Sequence, residues 1–258
     1  MQNSYLYSLI LELVATSSVA IPTGRGDQTH ALFLHLVEQI DPDLSRRLHE
    51  SSSYRPFTVS RLSSSERERK PLTMLRIGQT YRLRVTLLDG GPLWQRLSSH
   101  FLETEALLLH LDKASFQLAR VLSSPASGAE GWAKYTDWQT LASTAACTSL
   151  TLDFASPCAF SLGNRQFALF PEPKYVWDSL LRTWNQYAPP VLQIEKQALR
   201  EFVAQQVTVS DYRLETSNVA YTDVIQKGFQ GTCTYQIKES QPYASQVATL
   251  AAFALYAG

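Results

Sequence analysis

Two spacings of apolar side chains alternate along this chain, and their order predicts its elements. Residues 5–14 form a run rich in Leu, Tyr and Ile that reads as a buried first strand. A loop containing Pro22, Gly24 and Gly26 follows, and Thr29 can cap a helix whose Leu32, Leu36 and Ile40 repeat at four-residue spacing. Asp41 caps a second, short helix with Pro42 in the first helical position, where no N–H is needed. That helix runs to about His49 and gives way to the Ser51-Ser52-Ser53 loop. Strands are expected over 57–62 and 80–88; in the second, Tyr81, Leu83, Val85 and Leu87 alternate with Arg82, Arg84 and Thr86, so one face is core and the other basic. Asp89-Gly90-Gly91-Pro92 marks a turn, 93–109 reads as a helix and 116–121 as a strand. Strand, helix, strand, strand, helix, strand is the split βαβ order of ferredoxin-like domains.

Ser123-Ser124-Pro125-Ala126-Ser127-Gly128 is the most linker-like stretch of the chain, which sets an N-terminal domain over 1–124 and a C-terminal one over 132–258. Beyond it the pattern predicts a helix or loop at 137–145, a strand at 149–154 and a loop punctuated by Pro157, Pro171 and Pro173. A helix at 174–186, strands at 207–214 and 229–238, and a helix at 244–257 complete the half. The first alternation returns here in degraded form. The expected fold class is α+β: two tandem ferredoxin-like (RRM-like) domains, each with a four-stranded antiparallel sheet backed by helices.

Composition fits such a fold. The 258 residues exceed a typical single domain, and 45% hydrophobic with 18% charged residues is ordinary for a globular chain. Nothing approaches the roughly 18 consecutive apolar residues of a membrane span, because Leu9-Ile10-Leu11 is interrupted at Glu12. Met1-Gln2-Asn3-Ser4 brings no basic side chain ahead of that run, so a secretory leader is not indicated and the cytoplasm is the expected compartment. Cys147, Cys158 and Cys233 are odd in number and form no Cys-x-x-Cys pair, which points away from a disulfide framework or zinc knuckle and toward small buried apolar residues. No metal or cofactor is expected.

Charge changes the picture. The chain carries 23 Lys+Arg against 23 Asp+Glu, yet between Arg46 and Arg84 ten basic residues face three acidic ones, a local excess of seven. Such segregation can supply the positive field that phosphates need, with Arg46, Arg47, Arg61, Arg82 and Arg84 as candidate contacts. A solvated face without a partner would carry the same charges. Lys227, ahead of the glycine pair in Lys227-Gly228-Phe229-Gln230-Gly231, is a further candidate contact, although the pair alone signals a turn or bulge.

Acid–base chemistry would most simply use one of the five histidines. His30 and His35 are five apart, which misses the four-residue spacing of a helical zinc pair. His100 and His110 fall within or at the end of the predicted 93–109 helix and read as structural. His49 follows Arg46-Arg47 and precedes Tyr54-Arg55, beside a loop that could meet a phosphate; a helix C-terminus is equally a stable place for an imidazolium. Some aromatic side chains could stack on unpaired bases, but core packing is the favoured role of Trp94, Trp132, Trp138, Trp177 and Trp184. Gly24-Arg25-Gly26 lacks the lysine and the strand-to-helix context of a nucleotide loop.

Asp41-Pro42-Asp43-Leu44 leading to Leu48-His49-Glu50, then Arg55-Pro56-Phe57-Thr58-Val59-Ser60, resembles the N-terminal domain of the CRISPR repeat-processing endoribonucleases of the RAMP superfamily. Phe154-Ala155-Ser156-Pro157-Cys158-Ala159-Phe160, with Leu169-Phe170-Pro171-Glu172-Pro173 and Leu181-Arg182-Thr183-Trp184-Asn185, resembles their second domain. The resemblance implies binding of CRISPR repeat RNA and metal-independent cleavage of precursor crRNA. In such enzymes the ribose 2′-hydroxyl attacks the scissile phosphate, leaving a 2′,3′-cyclic phosphate and a 5′-hydroxyl. His49 falls on the family's histidine, and Arg55 about where a family lysine sits, as a candidate phosphate clamp. The position at which some members carry a catalytic tyrosine corresponds to Leu34, with His35 beside it as a further catalytic candidate. The family's glycine-rich closing loop would lie beyond Gly258. Other effector subunits and a second copy of the chain are possible partners under the same resemblance. The alternatives are a non-catalytic RNA-binding subunit of a CRISPR effector complex, in which His49 serves structure, and a protein-binding scaffold.

Overall fold

The computed structural model describes residues 5–20, 26–50, 55–64, 72–88, 90–103, 107–111, 113–127, 131–220, 225–238 and 243–258. The predicted loops at 21–25 and 51–54 and the first residue of the Asp89 turn lie outside these residues. Two compact units divide the chain: residues 1–136 with Gly258, and residues 137–257.

The first unit contains β1 (Tyr5–Ala15), β2 (Val19–Ala20), α1 (Gly26–Ile40), α2 (Pro42–Glu50), β3 (Phe57–Val59), β4 (Met74–Leu75), β5 (Thr80–Leu87), α3 (Gly90–Glu103), β6 (Leu108–Leu111), β7 (Ala114–Leu122) and β8 (Lys134–Asp137). Its main sheet has the order β3-β5-β1-β7-β6, with β8 also pairing β1. Stripped to β1-α1-β3-β5-α3-β7, this is the ferredoxin-like order. Alternation builds the core: Leu9, Leu11 and Leu13 of β1 and Tyr81, Leu83 and Val85 of β5 pack with Leu32, Phe33, Leu36 and Val37 of α1 and Leu93 and Leu97 of α3. Residues 132–136 belong with this unit: Ser8 Oγ donates to the Trp132 carbonyl at 2.6 Å, and Ala133 is buried with Ile10 and Leu122.

Several expectations are corrected. Thr29 does not cap α1, which starts at Gly26 and buries Thr29 in its first turn. The helix expected over 93–109 ends at Glu103, and the following leucines form strand β6. Leu107, Leu109 and Leu111 are buried while Leu108 and His110 are exposed, a two-residue period that satisfies the sheet edge beside β7. His110 therefore sits on a strand, its Nδ1 3.0 Å from Ser115 Oγ.

The second unit contains α4 (Trp138–Ala142), β9 (Ser149–Cys158), β10 (Phe160–Gly163), β11 (Gln166–Ala168), α5 (Pro173–Tyr187), α6 (Lys196–Gln206), β12 (Val207–Ala220), β13 (Ile225–Ile237) and α7 (Ala244–Ala257). Its antiparallel sheet has the order β12-β13-β9, three strands among the described residues where four were expected. The β10–β11 hairpin and α6 were not anticipated. Asn164 and Arg165 both take positive φ at the hairpin turn, and Leu199, Phe202 and Val203 form the buried stripe of α6. Three tryptophans are core as expected: Trp177 Nε1 donates to Val247 O at 3.1 Å, Trp184 Nε1 to Leu192 O at 2.8 Å, and Trp138 meets Trp184 edge-on. Trp94 and Trp132 are only half-buried, as are Cys147 and Cys158, whereas Cys233 is buried.

The glycine pair in β13 marks a bulge: the register against β9 shifts between Phe229 and Gly231. Gly231 has φ +130°, and a Cβ there would run into the Arg213 carbonyl oxygen; a Cβ on Gly228 would sit 2.9 Å from Pro157 Cβ. Both strands depend on these bare positions for their approach.

Asp137 caps α4, its Oδ1 accepting from the Thr140 amide and its Oδ2 from the Thr140 hydroxyl, each at 2.8 Å. The backbone bond from Thr140, followed by the side-chain bond, holds the Asp137 carboxyl below the usual carboxylate range. Its contribution to stability is thus fully present above the unfolded value of about 4 and disappears as pH falls through the lower folded value. Asp137→Ala is expected to cost about 1 kcal/mol in urea denaturation at pH 7, with the difference from the parent chain shrinking in acid.

Candidate nucleic-acid interface

The helix that carries His49 is fixed at its start. The Leu44 amide donates to Asp41 Oδ1 at 3.0 Å, as expected of an N-cap, and Arg96 of α3 lies against the other Asp41 carboxylate oxygen. Asp41 N donates to Val37 O at 2.7 Å, so α2 follows α1 without an intervening loop. Leu48 is buried in the core, Leu44 packs against it, and Ser45 Oγ donates to Leu34 O at 3.3 Å.

Held this way, Pro42, Ser45 and Arg46 of α2 face Leu34, His35 and Glu38 of α1 across a cleft of about 440 Å³. Position 49 follows Pro42 by seven residues, Ser45 by four and Arg46 by three, which places it on the same stripe of α2. The side chains of His49 and Arg47 lie outside the described residues, as do Arg67, Arg69 and Lys70 of the basic segment. His35 is half-exposed, its Nδ1 3.5 Å from the Glu38 carboxylate and its Nε2 3.2 Å from the Gln39 amide nitrogen. Arg46 pairs with Asp43 at 3.0 Å on the exposed side, a contact of the kind that contributes little to stability. Leu34 lines the cleft with its side chain buried against the core, so at this point of α1 it is His35 that offers a titratable group to it.

The remaining candidates lie elsewhere. Arg55 is exposed just before β3 and Arg61 is half-buried just after it; neither lines the cleft. Lys227 is exposed on β13 of the second unit, opposite Asn218. Arg82 and Arg84 point from β5 to the sheet face away from α1 and α3. Arg82 directs Nε and Nη2 at Glu12 Oε1, at 3.2 and 3.0 Å. Arg84 donates to Ser8 Oγ at 2.8 Å and lies 5.4 Å from the Trp132 ring centroid.

One basic residue on this face escaped the sequence reading. Arg120 Nη1 is 3.5 Å from Glu12 Oε2, so Glu12 sits between two guanidinium groups. Simple alternation from Phe116 and Leu118 would put Arg120 in the core. A register shift between Glu12 and Leu13 turns it to the outer face. At the far end of β1, Tyr5, Tyr7 and Tyr135 gather with Trp94, and burial followed by the neighbouring Tyr5 and Tyr135 raises the Tyr7 phenol. Among the described residues, no three His, Cys, Asp or Glu side chains cluster as they would around a metal ion, and no helix is long and apolar enough to cross a membrane.

Two ferredoxin-like units, the first bearing this cleft and an arginine-lined sheet, bring the chain to one family. Residues 5–143 match the CRISPR Cas6 N-terminal domain and residues 152–258 match the CRISPR-associated endoribonuclease Cas6. The chain belongs to the Cas6 family of CRISPR-associated endoribonucleases. A CRISPR-associated endoribonuclease Cas6 from Streptococcus thermophilus is 23% identical over 111 residues, 43% of this chain; the match spans 45% of that curated relative's length. Among solved structures, a Cas6 product complex is 27% identical with a TM-score of 0.78, covering 98% of this chain and 94% of that one. Thermus thermophilus Cas6 is 26% identical with a TM-score of 0.73, covering 100% and 94%. A Cas6-related protein from Pyrococcus furiosus, 13% identical with a TM-score of 0.54 over 95% and 90%, shares the fold.

Because Asp41 both caps α2 and meets Arg96, Asp41→Ala should lower stability by about 1–2 kcal/mol in chemical denaturation. Asp41→Asn keeps the capping oxygen and should lose visibly less; equal losses would mean that the cap does not hold α2.

Proposed function

We propose that this chain binds CRISPR repeat RNA and cuts precursor crRNA without a metal, by attack of the ribose 2′-hydroxyl on the adjacent phosphate. The products are a 2′,3′-cyclic phosphate and a 5′-hydroxyl. What supports this reading is that His35 and Arg46 line one cleft, with position 49 one turn further along α2 from Ser45 and Arg46, in a chain of the Cas6 family. Three tasks must be met: removing the hydroxyl proton, holding the phosphate in line, and protonating the leaving oxygen. An imidazole at position 49 suits one proton transfer, worth roughly 10²–10⁴-fold, and His35 across the cleft suits the other. Arg46, which lines the cleft, supplies a cation for the charge that develops on the phosphate, and Arg55, exposed just before β3 and outside the cleft lining, is assigned the clamp on the RNA backbone.

Incubation with repeat RNA in EDTA tests the chemistry directly, the expected product carrying a cyclic phosphate. RNA retained but uncut would instead favour the non-catalytic subunit. His49→Ala is expected to slow single-turnover cleavage by roughly 10²-fold or more with affinity nearly unchanged, whereas Arg55→Ala should weaken both. Full cleavage by His49→Ala together with an inactive His35→Ala would transfer the principal role to His35.

A further inference from the structure

The aromatic cluster at the far end of β1 takes no part in the chemistry above. Tyr5 and Tyr7 stand on the β1 face that continues through Leu9, Leu11 and Leu13 toward the helices. Three rings of the cluster form a tilted stack. Trp94, near the start of α3, lies 5.4 Å from Tyr7 with 33° between the ring planes, and Tyr7 lies 6.2 Å from Tyr135 of β8 with 30° between them. Both spacings fall within the roughly 4.5–7 Å over which aromatic rings attract one another. Tyr5 braces the stack from the side, 6.3 Å from Tyr7 and 6.4 Å from Tyr135, meeting the latter at 63°. The inner end is anchored, because Tyr7 and Trp94 pack against the buried core of the first unit. The outer end is open: Tyr135 remains 57% exposed.

Sealing the end of a core needs rings that turn inward, and Tyr7 and Trp94 already do so. Tyr135 adds an aromatic side chain that water still reaches, held by neighbouring rings rather than left to rotate. That is what an unpaired nucleobase requires. Every base has a π face and can continue the stack as a further rung, and a ring already braced by Tyr5 and Tyr7 gives up little conformational freedom when the base arrives. Local charge agrees. Of the two charged residues of β8, Asp137 is engaged in capping α4 while Lys134 is exposed beside Tyr135, so the charge left for a nearby phosphate is positive. We propose that the Trp94–Tyr7–Tyr135 stack is a binding site for one unpaired base of the RNA, with Tyr135 as the ring on which the base lies. The inference rests on the proposed binding of repeat RNA.

Affinity for repeat RNA, measured with the full chain, tests it. Tyr135→Ala should weaken binding roughly 5- to 150-fold, the range of one base–aromatic stack, whereas Tyr135→Phe, which keeps the ring, should stay within about twofold of the parent. The log–log salt slope should be the same in both variants as in the parent, because a stack neutralises no phosphate. Replacing the unpaired nucleotides of the RNA one at a time by abasic ones should reveal a position that costs the parent chain the same factor and costs Tyr135→Ala nothing further. Abasic losses that are equal in parent and variant at every position overturn the proposal. Parent-like affinity in Tyr135→Ala also overturns it and leaves the stack to an aromatic side chain of a partner protein. If the parent chain binds no repeat RNA, the functional reading itself falls and this inference with it. Should Tyr135→Ala fail to give a cooperative thermal transition, Tyr135→Leu takes its place, with a loss in the same direction and the same abasic position silent.

Discussion

Strand β1 is paired on both edges and buried on both faces, and that double burial dictates what the rest of the first unit carries. Leu9, Leu11 and Leu13 fill the side toward the helices, while Leu6, Ser8, Ile10 and Glu12 are equally removed from water on the other. Apolar members need only volume. The hydroxyl and the carboxylate must find partners, because an unpaired polar group in such a place costs more than a hydrogen bond returns. Ser8 finds the Trp132 carbonyl and the Arg84 guanidinium; Glu12 finds Arg82 and Arg120. The cations of the outer face are thus fixed in position by the strand between them.

A second constraint works at the junction of α1 and α2. With no loop between them, the angle at which one helix leaves the other is set by the Asp41 cap and by the burial of Leu48. His35 and the stripe of Pro42, Ser45 and Arg46 then confront each other across the cleft. Placing residues of two helices opposite one another in this way needs no strained backbone.

Much of this was legible along the chain, because alternation and four-residue spacing respond directly to one-sided burial. The Asp41-Pro42 start of α2, the two faces of β5 and the tryptophan core of the second unit follow from single residues. Where reading failed, the deciding contact was remote. Leu107 to Leu111 is apolar enough for a helix end or a strand, and pairing with β7 settles it. Arg120 has the parity of Phe116 and Leu118, and only a bulge opposite Glu12 moves it outward. α6 was missed: the stripe of Leu199, Phe202 and Val203 behind the Glu195 cap, with Pro189-Pro190 marking a turn ahead of it, carried the signal. His35 was named from the resemblance alone, and its place on the cleft opposite Pro42, Ser45 and Arg46 depends on how α1 and α2 pack, which no single residue announces.

The two bare positions of β13 do more than admit close approach. Between them, Phe229 is buried against Phe154 at 5.0 Å and Phe160 at 5.9 Å. A strand's side chains change face with every residue, so a slip of one place would expel this ring to solvent. β13 pairs with β9 from Phe229 to Gln236, so the seat of the whole β12–β13 ribbon is set along that stretch. Gly228 against Pro157 of β9 acts as a ratchet tooth in its notch, seating the hairpin on the sheet, while Gly231 against Arg213 of β12 does the same within the hairpin: each accepts one neighbour and no bulkier alternative.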